Sequence, residues 1–331
     1  MRILNDRRGA VAGDATGPLT FDIVVTRHDL RDEAAFRNTG VLDLYALLFP
    51  PNERDAPDDI VRWVLSDDVG ERREFSVGDQ QLSYCLDSRC FILRAEGRAI
   101  GLGFFTYDHA SELIYCNYVG VAKAWRGGGL AGRFYREMIE MLDGLFPRNI
   151  GVVLEVEPYD RDRLVAIIGD LERTGVRQLA ADQQTEIRRL LRVNWYDKLG
   201  YCFFCDARGM QPLECRSPCL DPSLLPSAWG GAEENYWLAW QSRTGAPSAE
   251  GARAGELWQR AVAAIYVEIL AKSLVDDDPK GRRDYWDYAT ALVAQTLQRA
   301  ATTEVRLARC LDADGSELLS RWRRLAIDLP I

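Results

Sequence analysis

The sequence predicts an α/β fold of the α+β type, with a mixed, mostly antiparallel central sheet flanked by helices and an all-helical C-terminal extension. Short stretches rich in β-branched and aromatic residues are concentrated in the middle of the chain, between turn signals. Apolar residues recur at intervals of three and four, as in amphipathic helices. A small, polar, Gly-rich segment at 242–255 then precedes a region that has only the helical spacing.

The length and charge of the chain limit the number of domains and the kinds of binding partner. The chain has 331 residues, which is enough for one large or two modest domains. It carries 50 acidic and 41 basic residues, a net charge of −9, so we expect no nucleic-acid partner held through phosphate contacts. A negative field of this kind attracts protonated amines instead.

Histidine and cysteine usage argues against several kinds of site. With two histidines, His28 and His109, a Ser-His-Asp triad or a His-rich metal centre is not expected, and we predict no metal. Eight cysteines in a chain of this length are too few for a dense disulfide framework. The sequence shows no signal peptide and no apolar run that could span a bilayer, so we expect a cytoplasmic protein without a membrane partner.

The elements alternate between strands and helices. A strand at 21–25 precedes helical spacing over 41–66, which a Pro-Pro pair interrupts. Two later strands form a hairpin around a Glu96-Gly97 turn. The later strands span 90–93, 99–107, 113–121, 150–157 and 201–207. A helix spans 129–142, and residues 161–199 are predicted to be mostly helical.

Four regions are expected along the chain. Residues 1–18 are rich in glycine and charge and are interpreted as a flexible leader, followed by a main domain over 19–241. A linker over 242–255 leads to a helical extension over 256–331. The extension could pack on the main domain, form a homodimer or bind a protein partner.

The most informative segment is YVGVAKAWRGGGLAG, residues 118–132. A buried strand runs into consecutive glycines and then into an amphipathic helix. Glycines let backbone N–H groups approach an anion closely, and a helix N-terminus adds unpaired donors and the positive end of a dipole. The arrangement suits a pyrophosphate group, although the P-loop and the dinucleotide-binding patterns are both absent.

Two motifs in this order resemble the GNAT superfamily of N-acetyltransferases. Residues 126–131 match its acyl-CoA signature R-x-x-G-x-A, and the ending Y-x-K-L-G-Y at 196–201 is similar to its second familiar motif. The resemblance covers about residues 20–241, most specifically 113–205, and implies a GNAT-like fold there. It does not extend to the C-terminal region.

The resemblance implies how acyl-CoA would be bound. The co-substrate would lie where the strands 113–121 and 150–157 splay apart. The backbone of Val119 and Val121 would hydrogen-bond the pantetheine arm, and an N–H near Val119 would polarise the thioester carbonyl. Arg126 would add positive charge, or is simply a solvated turn residue. The amides that would hold the pyrophosphate belong to Gly127, Gly128, Gly129, Leu130 and Ala131.

The activity that the resemblance implies is transfer of an acetyl group from acetyl-CoA to a primary amine by direct attack. The acceptor would be a small molecule or a peptide amine, cationic in view of the acidic composition. Transfer of a longer acyl group is a second enzymatic interpretation and would need only a wider cleft. The alternative is a non-catalytic acyl-CoA-binding sensor or scaffold whose helical tail engages a partner.

Acid–base chemistry requires a proton acceptor for the amine and a proton donor for the thiolate. Glu155 and Glu157 stand at i and i+2 on one predicted strand and therefore share a face, where they could bind the amine and accept its proton. Alternatively, the two glutamates lie on an ordinary solvent-exposed face of the sheet, or they pair with arginines of the following helix. By resemblance, Tyr196 would protonate the thiolate. Asn117 shares the face of Val119 by parity and could touch the acyl or amine group.

Two cysteine pairs raise the question of zinc. Cys202 and Cys205 lie in a predicted strand, where residues three apart point to opposite faces, and a zinc knuckle needs converging sulfurs. Cys215 and Cys219 form the second pair. We interpret these cysteines as buried thiols.

Overall fold

The computed structural model describes residues 2–5, 20–49, 54–66, 71–77, 80–175, 178–208, 211–217, 234–243, 252–273 and 281–327. These residues divide into two compact units. The first unit contains the described residues of Met1–Glu74 and Ser83–Asn149. The second contains those of Phe75–Leu82, Ile150–Cys219 and Leu224–Ile331.

The first unit is built on an antiparallel sheet in the order β1-β2-β5-β6-β7. Glu96 and Gly97 turn β5 into β6 with φ of 51° and 78°, the conformation of a tight hairpin turn, as the sequence predicts. A separate two-stranded sheet pairs β3 with β4, and most of its residues belong to the second unit. The strands are β1 (Arg2–Asn5), β2 (Thr20–Val25), β3 (Arg73–Val77), β4 (Gln80–Tyr84), β5 (Leu86–Ala95), β6 (Arg98–Asp108) and β7 (Leu113–Val121).

Three short helices cover one face of this sheet. They are α1 (Glu33–Arg37), α2 (Val41–Leu48) and α3 (Pro57–Leu65), and the break between α2 and α3 falls at the predicted Pro-Pro pair. Their apolar side chains are excluded from solvent against those of β5, β6 and β7, which is the main source of stability in this layer. This core contains Phe36, Val41, Leu44, Tyr45, Ile60, Val61, Val64, Cys90, Ile92, Leu102, Phe104 and Tyr118.

The helix α4 (Leu130–Leu145) packs close to β6 because that strand carries glycines where the helix passes. A Cβ atom added to Gly103 would stand 2.4 Å from the Met138 sulfur and 2.8 Å from the Phe105 ring. Of the predicted stripe the helix buries Leu130, Phe134 and Met138, whereas Leu145 at its end is exposed. It ends three residues later than predicted.

In the second unit β11 pairs with β8, β9 and β10, and β12 adds to β9; all these pairs are antiparallel. The strands are β8 (Gly151–Val156), β9 (Cys202–Asp206), β10 (Glu214–Ser217), β11 (Glu234–Ser242) and β12 (Val305–Arg309). The helices are α5 (Arg161–Thr174), α6 (Ala181–Lys198), α7 (Ala252–Ser273), α8 (Gly281–Thr302) and α9 (Ala313–Arg324). The predicted mixed, mostly antiparallel sheet flanked by helices is confirmed.

The C-terminal region is not all-helical, contrary to the prediction. β12 pairs along its whole length with β9, from Val305 opposite Asp206 to Arg309 opposite Cys202. Its sequence VRLAR is short and contains two arginines, so the hydrophobic pattern that would predict a strand is weak. The strand conformation depends instead on the pairing with β9. The domain boundaries stay a prediction, although the helices α7–α9 fall in the same compact unit as β8–β11.

The other boundaries differ from the sequence predictions in two places. Within the predicted leader 1–18, residues Arg2–Asn5 form β1 and pair with β2, while the remaining leader residues lie outside the described segments. Within the predicted linker 242–255, α7 already begins at Ala252. Among the helices in the described segments, none is long and apolar enough to cross a membrane.

Polar contacts attach the end of the chain to α5 and α6. The Asp197 carboxylate accepts a hydrogen bond from the Leu311 amide (3.2 Å) and pairs with Arg309 (2.7 Å). Arg321 of α9 pairs with Glu172 of α5 at 2.7 Å. Because Asp197 directly follows Tyr196, the C-terminal segment holds the part of α6 that carries this tyrosine.

Candidate functional site

The turn between β7 and α4 consists of three glycines with left-handed backbone conformations. Gly127, Gly128 and Gly129 have φ of 90°, 48° and 80°. A side chain is strained in this region of φ, so glycine is the residue that suits it. A Cβ atom placed on any of the three would meet nothing within 4 Å, and all three residues are exposed. The turn therefore presents backbone, rather than side chains, to its surroundings.

The N-terminus of α4 is not capped by a side chain. Its N-cap is Gly129, no side-chain hydrogen bond caps the helix, and its first turn has no acidic residue. The first N–H groups of a helix have no partner within the helix and carry its positive partial charge. An anion is the natural complement of such a terminus.

The charge around the turn is positive although the chain as a whole is negative. The segment 123–136 contains four basic residues and no acidic residue. One of them, Arg126, donates from Nε to the carbonyl oxygen of Val121 (2.9 Å), which ties the start of the turn to the end of β7. The Trp125 ring meets Phe21 edge-on at 5.7 Å and anchors the preceding 3-10 helix Lys123–Trp125. The turn is thus held in place at its N-terminal side.

A β-bulge lies in β7 just before the residues expected to bind the pantetheine arm. Phe104 pairs with Tyr118 and Phe105 with Cys116, so Asn117 is the extra residue. Val119 and Val121 pair with Gly103 and Gly101 beyond the bulge. Both residues therefore have the regular strand backbone that the resemblance requires of them.

The bulge corrects the expected placement of Asn117. Thr106 lies two residues from Phe104 and therefore on the same face of the sheet, the α1–α3 face. Its hydroxyl donates to the Asn117 side-chain oxygen (3.1 Å), so the Asn117 side chain lies on this face too. Val119 stands opposite Gly103, on the α4 face. Parity had placed Asn117 and Val119 on one face, but the extra residue interrupts the alternation.

Two residues that the sequence analysis did not single out meet at this point of β7. The Tyr118 hydroxyl donates to Asp55 Oδ2 at 2.9 Å, and the Asp55 amide donates to the Tyr45 hydroxyl, also at 2.9 Å. Asp55 lies in the loop between α2 and α3. Functional residues are often found in loops, but the sequence pattern does not show that Asp55 has a partner 63 positions away.

The two glutamates have different surroundings. Glu155 of β8 stands opposite Leu238 of β11. Burial raises the pKa of the Cys215 thiol to about 12, and the nearby Glu155 charge adds to that rise. Glu157 follows β8 and pairs with Arg192 and, at 3.5 Å, with Arg189. The arginine pairing that the sequence left open is therefore present for Glu157.

Tyr196 lies near the end of α6 and is 7% exposed. Its ring meets Tyr201 at 5.6 Å and Trp195 at 5.2 Å between centroids. The Tyr196 carbonyl accepts the amides of Leu199 and Tyr201, so the motif 196–201 closes on itself as the helix ends. Its position follows from this local structure and from the Asp197 contacts described above.

The thiols of β9 have no metal-like arrangement. Cys202 and Cys205 are both free, and burial raises the pKa of each. Within the described segments, no group of three or more His, Cys, Asp or Glu side chains could hold a metal ion. Cys219 lies outside these segments.

Comparison with known proteins identifies relatives by structure alone. No family model matches the chain, and no curated protein sequence does. Among solved structures, the chain is similar to a protein from Bacteroides thetaiotaomicron described as a GNAT-family acetyltransferase. The identity is 17% over 67% of this chain and 86% of that one, with a TM-score of 0.37.

Two further solved structures are similar over comparable lengths. The loading GNATL domain of CurA from Lyngbya majuscula is 11% identical over 68% of this chain and 98% of its own, with a TM-score of 0.38. The aminoglycoside 6'-N-acetyltransferase from Enterococcus faecium is 11% identical over 66% and 97%, with a TM-score of 0.36. In its sequence motifs and in the solved structures that it matches, the chain is thus similar to acetyltransferases of the GNAT superfamily.

Proposed function

We propose that this chain is an acyl-CoA-dependent N-acyltransferase that transfers an acetyl group from acetyl-CoA to a primary amine. The observation that carries the proposal is the turn of three glycines before α4, which presents open backbone at an uncapped helix N-terminus. A diphosphate is the part of coenzyme A that such a terminus suits. The four basic residues of 123–136 favour the same ligand, because they give the segment that contains the turn a positive charge.

The residues proposed to hold the co-substrate belong to the first unit. The amides of Gly127 to Ala131 bind the diphosphate, and the backbone of Val119 and Val121 binds the pantetheine arm. Arg126 contributes charge, while its Nε stays on the Val121 carbonyl. The open space around the glycines is compatible with this assignment, since no side chain of the turn would have to move.

The proposed reaction is a direct attack. The neutral amine nitrogen forms a bond with the thioester carbonyl carbon, the C–S bond breaks, and the products are an amide and the thiol of coenzyme A. The amine gives its proton to Glu155, directly or through water, and the Tyr196 hydroxyl supplies the proton that the thiolate needs. Glu157 is already paired with two guanidinium groups, so the role of proton acceptor is assigned to Glu155.

An amine-dependent assay tests this proposal. The purified full chain is incubated with acetyl-CoA and a panel of primary amines, cationic and neutral, and free coenzyme A and acetylated amine are quantified by chromatography and mass spectrometry. We expect equal amounts of both products with at least one cationic amine. The same panel with a longer acyl-CoA tests whether the acetyl group is preferred.

The assay also separates the proposal from its alternative. Binding of coenzyme A without acetylation of any amine would favour an acyl-CoA-binding sensor or scaffold, with α7–α9 as the surface for a second copy or a protein partner. Absence of coenzyme A binding would contradict both.

A further inference from the structure

Asp55 is a half-buried carboxylate whose position is fixed from two sides. Tyr118 donates its hydroxyl to Oδ2, and the Asp55 amide donates to Tyr45. Burial raises the pKa of Tyr118 well above its usual range, and the charge of Asp55 adds to the rise. The Tyr118 phenol therefore remains a hydrogen-bond donor at neutral pH.

Among the described residues, no arginine, lysine or histidine forms an ion pair with this carboxylate. The adjacent Arg54 directs its guanidinium to the Ala46 carbonyl at 2.8 Å, away from an ion pair with Asp55. By contrast, Asp22 and Asp87 of the same unit pair with arginines, Asp87 with two of them. A partly desolvated carboxylate without a cation is costly, so a positively charged ligand would be stabilised there.

Three aromatic rings pack against one another beside Asp55: Tyr45 and Tyr118 are buried, and Phe49 is half-buried. Tyr118 meets Tyr45 and Phe49 edge-on, each at 4.9 Å between centroids, and Tyr45 meets Phe49 at 5.5 Å. The faces of aromatic rings attract organic cations, and the attraction grows where water is excluded. A carboxylate beside such rings is chemically suited to an alkylammonium group.

The site is attached to the strand that is proposed to hold the acyl group. Tyr118, which binds Asp55, lies between the bulge residue Asn117 and Val119, whose backbone we assign to the pantetheine arm and the thioester. Asn117 belongs to a polar chain on the α1–α3 face, in which Ser88 and Thr106 share a hydrogen bond of 2.9 Å. Polar groups and a negative charge thus meet on one face of the sheet at this bulge.

We propose that Asp55 binds an ammonium group of the acceptor other than the nitrogen that is acylated, so that the acceptor is a diamine or an oligoamine. The inference rests on the proposed function and narrows its substrate class. The attacked nitrogen has to be neutral, and a carboxylate beside it would favour its charged form. We therefore assign the Asp55 carboxylate to a second ammonium group of the acceptor, which does not react. Asp55 would hold this group while the neutral nitrogen attacks the thioester.

Two acceptors of equal length test the proposal. 1,4-Diaminobutane carries a second ammonium group, whereas 4-amino-1-butanol has a neutral hydroxyl in its place. We expect the wild-type chain to prefer the diamine in kcat/KM by roughly 10-fold or more, the range for a hydrogen bond to a charged group. Asp55→Asn should remove this preference and leave the affinity for coenzyme A unchanged.

Two variants control for altered folding. Tyr118→Phe keeps the charge and loses the hydrogen bond that orients it, so the preference for the diamine should fall only in part. Asp43→Asn removes an exposed charge from the first turn of α2 and should leave kcat/KM with both acceptors unchanged. Thermal unfolding of each variant shows whether the fold is retained.

The outcomes separate this inference from the proposed function. Equal rates with both acceptors in the wild type, or an unchanged preference in Asp55→Asn, would overturn the role of Asp55 while the transferase activity stands. If no amine is acetylated, calorimetric titration with 1,4-diaminobutane remains decisive: binding that Asp55→Asn abolishes supports the amine site, and no binding to the wild type refutes it.

Discussion

Replacing Gly129 by valine is expected to lower the affinity for acetyl-CoA by about 100-fold or more. Gly129 has φ of 80°, where a β-branched residue is strained, so the substitution forces the turn into another conformation. The amides of the turn then no longer converge on the diphosphate, and each hydrogen bond to a charged group that is lost costs about 1.5–3 kcal/mol. Isothermal titration calorimetry with acetyl-CoA measures the change.

Gly144 supplies the matched control in the same helix. It lies in the helical part of α4, and a Cβ atom there would meet nothing within 4 Å. Gly144→Ala should leave the affinity for acetyl-CoA unchanged and raise the free energy of unfolding by about 0.5–1 kcal/mol, since alanine restricts the unfolded chain. Wild-type affinity in Gly129→Val would contradict the proposed role of the turn.

Replacing Tyr196 by phenylalanine is expected to lower kcat by about 100-fold, the lower end of the range for a positioned general acid. The substitution removes the hydroxyl that is proposed to protonate the thiolate and keeps the ring, which packs against Tyr201 and Trp195. The affinity for coenzyme A should stay within about 2-fold of wild type, because binding and proton transfer are separate requirements. Steady-state kinetics with a saturating amine give kcat, and calorimetry gives the affinity.

Tyr201→Phe is the corresponding control, since it removes a hydroxyl from a second buried tyrosine whose ring lies 5.6 Å from that of Tyr196. We expect this variant to retain turnover. Equal losses of kcat in both variants would indicate a packing effect and would contradict the assignment of Tyr196 as the acid.

The parts of the fold that depend on local sequence were predictable. The hairpin turn follows from Gly97, which adopts a positive φ without strain, and the turn at 127–129 follows from the same property of its three glycines. The stripe of α4 appears as apolar spacing because one side of the helix is buried against β6. In each case the residues themselves determine the local structure.

Features that depend on distant residues were not predictable in this way. The bulge at Asn117 arises from pairing between β6 and β7 and reverses the side of the sheet that parity assigns. β12 forms because β9 offers it an edge, about 100 residues away along the chain. The contact between Asp55 and Tyr118 joins a loop to a strand, and neither residue type signals the other.

The glutamates illustrate the same limit at the level of chemistry. Parity treats Glu155 and Glu157 as equivalent, yet they have different neighbours. Glu157 pairs with Arg189 and Arg192, whereas Glu155 lies where its charge affects Cys215. A proton acceptor is defined by its neighbours, and those neighbours come from α6 and β10, elements distant in sequence from β8.

The central claim is that the backbone of the turn before α4 binds the diphosphate of coenzyme A. Amide NMR of the isotope-labelled full chain during titration with coenzyme A tests it most directly. We predict that the amide resonances of Gly127–Ala131 show the largest shifts and saturate together. Resonances of this turn that stay unchanged at saturating coenzyme A would contradict the claim.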